Sequence, residues 1–264
     1  MRSYFGLFKM TFKGELQYRA KAISGLATQF FWGLMYIFLF TAFMKNKEVN
    51  GFTLSQMASY IWLGQAFFAM KWIKLPGSVG RTIVNGDVCY NFIRPMNLYN
   101  QWFAQGFGEK LSSTMLRCGP VILMTLFIPK IGLSLPVSVA AFFLFLLALV
   151  LAAIMSMAIS MIATYLTLVT LSEKGMANIV NLVTSLFCGT LIPLPLLPES
   201  LQRVITYLPF RVVGDLPFRI YIGNISIQQS LIQIAIAAAW VVVMVVIGKV
   251  GFKLSLKKTT IQGG

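Results

Sequence analysis

The amino-acid sequence predicts an all-α membrane protein in which six transmembrane helices form a single domain over residues 1–264. Composition is the first reason: 58% of the residues are hydrophobic and 11% are charged, whereas a soluble domain has about 25% charged residues. Second, the few charges lie in clusters between apolar runs, and a membrane-spanning helix needs about 20 mostly apolar residues. Third, lysine and arginine concentrate in alternate loops, as they do in multi-pass membrane proteins.

The net charge of +15 indicates which partners to expect. In a soluble protein so basic a balance would indicate nucleic acid. In a membrane protein the same charge collects on cytoplasmic loops, where it fixes orientation and contacts anionic lipids. We therefore expect anionic lipids as partners and no nucleic acid.

The apolar runs give the expected order of elements along the chain. Phe5, Phe8, Phe12 and Leu16 recur at helical spacing beside lysines, which favours an amphipathic interfacial helix over residues 2–22 rather than a plain basic tail. The six predicted spans follow at residues 23–44, 54–72, 111–128, 136–168, 176–191 and 231–250.

Charge asymmetry gives the orientation. Most lysine and arginine residues lie in four segments, residues 1–22, 71–98, 172–175 and 249–264. The positive-inside rule places these segments in the cytoplasm. Six crossings put both ends of the chain on one side, so the sequence predicts that both termini are cytoplasmic.

The fourth run is long for a single crossing. At 1.5 Å per residue, 33 helical residues reach about 50 Å, against a hydrocarbon core of about 30 Å. No Gly or Pro interrupts the run after Pro136, so we expect one tilted helix. Small residues on one face predict close packing against other helices; they are Ala148, Ala152, Ser156, Ser160 and Thr164.

Residue types that catalyse reactions or bind metals and nucleotides are scarce. The chain has no histidine, seven acidic residues that occur singly, and three cysteines without a CxxC pair. No G-x-x-x-x-G-K-[ST] phosphate loop is present. We expect no catalytic residue and no cofactor or metal site in this chain, and we expect that it is not an enzyme.

The polar segment 76–98 is the most informative loop. It combines a central Asn85-Gly86-Asp87 with large apolar residues and ends at Arg94-Pro95. An ordinary solvated loop is the alternative, but such a loop would not need so many apolar side chains. We expect a short amphipathic helix on the cytoplasmic face whose apolar residues need a partner surface; they are Ile83, Val84, Val88, Phe92 and Ile93.

The segment 192–227 is rich in proline, which prevents a continuous helix. We expect a broken, partly re-entrant helical segment on the outer side. Within it Arg211, Asp215 and Arg219 are spaced by four, which indicates an ion-pair ladder on the surface.

The fifth predicted span carries a polar face. Asn178, Asn181 and Ser185 recur at helical spacing in an otherwise apolar run. In lipid such a face turns toward protein or a water-filled path. Two interpretations stay open: these residues line a water-filled translocation route at the interface with a partner chain, or they form hydrogen bonds between helices.

Three sequence motifs carry a family resemblance. They are F-K-x-x-F-K-x-x-L-x-Y-R-A-K at residues 8–21, N-G-D-V-x-x-x-x-I-R-P at 85–95 and L-P-x-x-L-x-x-V-I-x-Y-L-P-F at 197–210. With the layout of the elements, they resemble the permease subunits of type-2 ATP-binding-cassette (ABC) exporters. More narrowly, they are similar to a little-characterised bacterial six-span subfamily related to antibiotic-resistance exporters.

The resemblance implies a permease subunit in a bacterial plasma membrane that exports an amphipathic drug, peptide or lipid-like molecule. Its implied partners are two copies of a cytoplasmic ABC ATPase, which hold ATP and Mg, and a second permease, a different homologous chain. The implied contacts with the ATPase are Asn85, Gly86, Asp87, Val88 and Arg94. The chain departs from its relatives at Val88-Cys89-Tyr90, where they are richer in leucine.

Other function classes need features that the sequence shows poorly. A secondary carrier would need internal repeats and helices broken at mid-membrane. A membrane-embedded enzyme would need clustered His, Asp, Glu or Cys residues. A scaffold subunit without transport activity is the third alternative.

Overall fold

The computed structural model describes residues 2–44, 51–77, 79–88, 91, 96–128 and 131–258, with only the backbone described for 19–22, 257 and 258. Within these ranges the chain is helical and contains no β-strand, which confirms the all-α class. The helices are α1 Arg2–Leu16, α2 Arg19–Met44, α3 Leu54–Ala66, α4 Phe68–Lys71, α5 Val79–Val84, α6 Leu98–Leu126, α7 Val139–Thr170, α8 Glu173–Phe187, α9 Glu199–Thr206, α10 Asp215–Tyr221 and α11 Ile227–Lys258.

Three of the described helical stretches are long and apolar enough to cross a bilayer: Ile23–Met44, Val139–Thr170 and Ile227–Leu256. They correspond to the first, fourth and sixth predicted spans. Helices α3 and α8 have 13 and 15 residues, fewer than the roughly 20 of a full crossing. Helix α6 is long enough but more polar. The number of six spans therefore stays a prediction.

The predicted second span is divided. A capping box starts α3: the Thr53 side chain accepts from the Gln56 N–H, and Gln56 Oε1 accepts from the Thr53 N–H. The helix stops at Phe67, α4 adds one turn, and Trp72 has extended backbone. Residues 72–75 therefore leave the helical path before α5.

Helix α7 is the central element of the fold. It runs unbroken through 32 residues, as predicted, and packs against α6, α8, α10 and α11. Ser138 caps its start by accepting a hydrogen bond from the N–H of Ala141 at 3.1 Å. The predicted small-residue face is confirmed as buried, which lets neighbouring helices approach closely; its members are Ala148, Ala152, Ser156, Ser160 and Thr164.

Helix α1 is shorter than the predicted 2–22 and lies along α6. The rings of Phe5, Phe8 and Phe12 stack in sequence, with centroids 6.2 and 5.8 Å apart. Phe8 also contacts Phe107 of α6, whereas Phe5 is exposed. The predicted apolar stripe thus packs partly on protein, and its place at a membrane surface stays a prediction.

The segment 192–227 is broken as predicted. It contains 3-10 turns at Leu194–Leu196 and Pro209–Val213, and its longest helix, α9, has eight residues. Eight residues rise about 12 Å, well short of a bilayer, so the segment cannot cross as a single helix.

The predicted ion pairs among Arg211, Asp215 and Arg219 are present, but the prediction that they lie on the surface is wrong. Asp215 is fully buried and lies 2.6 Å from Arg211 Nε and 3.0 Å from Arg219 Nε. The Tyr60 hydroxyl of α3 donates to the same carboxylate at 2.9 Å. Burial alone would raise the pKa of Asp215, but the positive charges of Arg219 and Arg211 lower it below its usual value.

The two arginines extend this buried junction to further elements. Arg211 donates to Gln233 of α11 at 3.1 Å, and Arg219 donates to Gln202 of α9 at 3.0 Å. The spacing of four residues predicted the ion pairs correctly. It could not predict that the pairs are buried, because their burial depends on partners from distant parts of the chain.

The buried face of α7 can be tested with Ala152→Leu. The larger side chain has no space at this fully buried position, so we expect it to lower stability by about 1–3 kcal/mol. Ala140→Leu makes the same change at an exposed position of the same helix and serves as the control. Thermal unfolding of the two purified variants in detergent is the measurement, and equal unfolding temperatures would contradict the packing.

Candidate functional site

A cavity of about 580 Å³ lies between α2, the α3–α4 unit and α8. Its wall is largely aromatic and apolar, with Trp32 and Tyr36 from α2, Phe68 from α4 and Leu182 from α8. A cavity of this size and lining matches the clefts that bind small molecules, which measure about 300–1,000 Å³.

The predicted polar face of α8 lines this cavity. Asn178 is exposed, Asn181 is half-buried and Ser185 is buried, and all three contribute to the wall. Asn181 also accepts a hydrogen bond from the N–H of Ile73 at 3.0 Å. Features of both interpretations are therefore present: three polar residues share one cavity, and one of them also joins α8 to the segment after α4.

Lys71 is a cavity residue that the sequence reasoning missed. Its exposed fraction is 6%, and its Nζ lies 5.7 Å from the centre of the Phe218 ring. No carboxylate among the described residues lies within ion-pair distance of this amine. From the sequence it looked like an ordinary lysine at the end of a span, because nothing local shows that α4 turns it inward.

Gln29 is a second residue that was missed. Its exposed fraction is 4%, it lines the same cavity, and within the described ranges neither its amide nitrogen nor its amide oxygen has a hydrogen-bond partner. Buried polar atoms are nearly always hydrogen-bonded. The pair Thr28-Gln29, inside an otherwise apolar run, was the sequence signal that could have indicated it.

Lys110 forms hydrogen bonds with the backbone at the end of α4. Its Nζ donates to the carbonyl oxygens of Met70 and Trp72 at 3.3 and 2.9 Å and to Ser156 Oγ at 2.7 Å. The hydroxyl of Ser156 on α7 donates to Met70 O at 2.6 Å. These bonds satisfy carbonyls near the C-terminus of α4, which lack helical partners.

The neighbouring Glu109 binds the segment that follows α4. It accepts a hydrogen bond from the N–H of Gly77 at 3.0 Å and forms an ion pair with Lys74 at 3.4 Å. Helix α6 thus holds both ends of residues 70–77, the connection between the cavity wall and α5.

A second, smaller cavity of about 390 Å³ lies on the other side of this connection. Lys74, Lys110 and Arg117 line it together with Phe68 and Trp72. The combination of basic and aromatic side chains suits the headgroup and upper chain of an anionic lipid.

The predicted coupling turn is exposed. Helix α5 ends at Val84, and Asn85, Gly86 and Asp87 follow as a turn that is open to solvent. Gly86 has φ +80°, a conformation that favours glycine. Val84 is 49% exposed beside this turn. The described tip thus presents one apolar and two polar side chains.

The apolar residues of segment 76–98 were expected to need a partner surface, but two of them are already covered by this chain. Ile83 and Val88 are buried against this chain's own Trp102, Met161 and Phe252. An apolar loop residue that packs against its own chain cannot be distinguished in the sequence from one that packs against a partner. Arg94, Phe92 and Ile93 lie outside the described residues, so the predicted roles of those three stay predictions.

The coupling turn and the cavity are joined by one helix. Helix α8, which supplies the polar cavity residues, begins at Glu173 beside α5. A side chain at Gly80 would overlap the Glu173 carboxylate, so the glycine permits this close approach. A displacement of α5 would therefore be transmitted to the start of α8.

The groups at this site are suited to binding. Amine, amide and hydroxyl groups of the described residues face an aromatic cavity. In the part of the chain that the structure describes, no group of three or more His, Cys, Asp or Glu residues is placed to hold a metal ion.

Comparison with known proteins identifies the family of this chain. The family model described as ABC-2 family transporter protein matches residues 30–263, which is most of the chain. No curated protein matches the chain. The chain therefore belongs to the ABC-2 family of transporter proteins and is a membrane-embedded permease, the non-catalytic transmembrane part of an ABC transporter.

Proposed function

We propose that this permease belongs to an ATP-driven exporter and moves an amphipathic molecule out of the cell through the cavity between α2, α4 and α8. The observation that carries the proposal is the connection through α8, whose start touches α5 and whose polar residues line the cavity. Membership of the ABC-2 family implies an ABC ATPase partner.

The energy for transport comes from that partner. The chain has no phosphate loop, so ATP and Mg bind in the ATPase, present in two copies. The exposed Asn85-Gly86-Asp87 turn docks on the ATPase, with Val84 filling an apolar notch and Arg94 contributing from the following segment. Val88 supports the turn from inside, because it is buried in the chain's own core.

Movement of this turn reaches the cavity by two routes. The first is the contact of α5 with the start of α8 at Gly80 and Glu173. The second is the connection 70–77, which α6 holds through Glu109 and Lys110. Closing of two ATPase subunits would thus displace two walls of the cavity together.

The orientation follows from the distribution of charge. Both termini and the coupling turn are cytoplasmic, the segment 192–227 is outside, and six crossings lie in a bacterial plasma membrane. The cavity lining extends from Thr28 and Asn178, toward the inner ends of α2 and α8, to Tyr36 and Leu191, toward their outer ends, so the cavity extends across the middle of the membrane. An amphipathic molecule in the inner leaflet can enter it laterally.

Two further kinds of partner complete the complex. A second permease, a different homologous chain, covers the open side of the cavity next to α2 and α8, where Phe31, Ile179 and Leu182 are exposed. Anionic lipid headgroups occupy the basic cavity and contact Lys74 and Arg117, whereas the Lys110 amine is engaged within the protein.

The docking turn can be tested with the double variant Val84→Asp and Asp87→Lys. Both residues are exposed, so the fold should be retained. We expect about tenfold weaker binding of the ATPase, because the variant reverses the charge and removes the apolar contact. The measurement is co-purification with the candidate ATPase, followed by ATPase activity in liposomes.

The matched control is Val204→Asp with Glu199→Lys, which makes similar changes at exposed positions of α9 on the proposed outer side. This variant should bind the ATPase as the unaltered protein does. If the Val84 and Asp87 variant also binds fully and keeps its hydrolysis rate, the coupling surface lies elsewhere, and residues 172–175 are the next candidate.

The orientation can be tested with two single-cysteine variants, Asn85→Cys and Ser200→Cys, in a chain without its native cysteines. Both positions are exposed, so reactivity reports the side of the membrane rather than burial. An impermeant maleimide should label residue 200 in intact cells and residue 85 only after permeabilisation. Labelling of residue 85 in intact cells would refute the topology.

A further inference from the structure

We propose that the transported molecule is an amphipathic anion whose carboxylate or phosphate binds Lys71 and Gln29 in the cavity of about 580 Å³. This inference rests on the proposed function, in which the same cavity is part of the transport route. It adds the charge of the substrate and the residues that recognise it.

Among the described residues, no carboxylate is placed to neutralise a positive charge on Lys71. Asp215 lies on the neighbouring α10, but its carboxylate is already shared by Arg211, Arg219 and the Tyr60 hydroxyl. Within the described ranges, Lys71 has a ring contact with Phe218 but neither an ion pair nor a side-chain hydrogen bond. Buried charges in proteins are normally paired, so an anion from outside the chain would complete the site.

Gln29 supplies the second, independent observation. Both of its amide atoms are buried and lack a partner among the residues described. It stands on α2, Lys71 stands on α4, and both line the same cavity. An anionic head bound there could accept hydrogen bonds from the Gln29 amide and the Lys71 amine together, which would satisfy two groups that the described residues leave without a partner.

The rest of the lining selects against a cation. Of the residues that the structure describes, no aspartate or glutamate lines the cavity, and the remaining polar residues are neutral. Trp32, Tyr36, Phe68 and Trp72 offer ring surface for an apolar body. The cavity therefore combines one cation, neutral hydrogen-bonding groups and an aromatic wall, which suits an anion with an apolar tail.

The test uses the purified full-length protein, with any ATPase that co-purifies, in nanodiscs of zwitterionic phosphatidylcholine. The probe is radiolabelled dodecyl phosphate, whose binding is measured at equilibrium without ATP. We expect saturable binding that dodecanoate displaces and dodecyltrimethylammonium, a cation with the same chain, does not. Repeating the assay with phosphatidylglycerol in the nanodisc distinguishes a lipid headgroup, which would compete, from a free amphiphile.

The variants locate the site. Lys71→Met should weaken probe binding by about tenfold, and Lys71→Arg should restore most of it, because a charged hydrogen bond is lost and regained. Gln29→Leu should weaken binding severalfold. Lys253→Met removes the same charge from an exposed position and should leave binding unchanged.

Several results would overturn the inference. Stronger displacement by dodecyltrimethylammonium than by dodecanoate would show a cation site. Unchanged probe binding in Lys71→Met, with a smaller complex on size exclusion, would show that a protein segment covers Lys71. If Lys71→Met does not fold, Gln29→Leu and the competition on the unaltered protein decide the question.

Because binding is measured without ATP, the inference and the proposed function can fail separately. A complex that transports a neutral or cationic amphiphile with ATP, but binds no anion at Lys71, would refute the inference alone.

Discussion

The Lys110 ammonium group fixes the point at which the second predicted span stops being helical. A helix that ends inside a protein leaves carbonyl oxygens without partners, and hydrocarbon offers no water to replace them. Lys110 supplies hydrogen bonds to Met70 and Trp72, and Ser156 of the central helix α7 joins the same cluster. The carbonyls of Met70 and Trp72 are therefore satisfied where the chain leaves its helical path.

The position of the functional parts depends on this cluster. On one side of it, α4 turns Lys71 toward the cavity between α2 and α8. On the other side, Glu109 holds Gly77 immediately before α5 and the exposed turn. Two adjacent buried residues of α6, Lys110 and Glu109, thus fix both the cavity and the base of the proposed docking surface. The proposed coupling needs these two parts to move as one unit when a partner pulls on the turn.

Much of the fold could be predicted because it depends on local pattern. Uninterrupted apolar runs predicted α2, α7 and α11. Small residues at every fourth position predicted the buried face of α7. Prolines predicted the broken segment after α8. The polar face of α8 was also visible, because helical spacing alone places Asn178, Asn181 and Ser185 together.

The remaining features depend on contacts between residues far apart in the chain. The burial of Asp215 needs Tyr60, which lies 155 positions away, and no local pattern announces that contact. The burial of Lys71 and Lys110 could not be predicted, because the groups that they contact come from other helices. Val88 looked like an interface residue because an apolar side chain in a polar loop gives no indication of whether its partner is internal.

The central claim is that a separate ATPase drives this permease, and transport in a defined system tests it most directly. The permease would be reconstituted in liposomes with and without the ATPase that co-purifies with it, and uptake of a labelled amphiphile would be followed with ATP or a non-hydrolysable analogue. The account predicts uptake only when the permease, the ATPase and hydrolysable ATP are all present. Uptake by the permease alone, driven by an ion gradient, would contradict it and identify a secondary carrier.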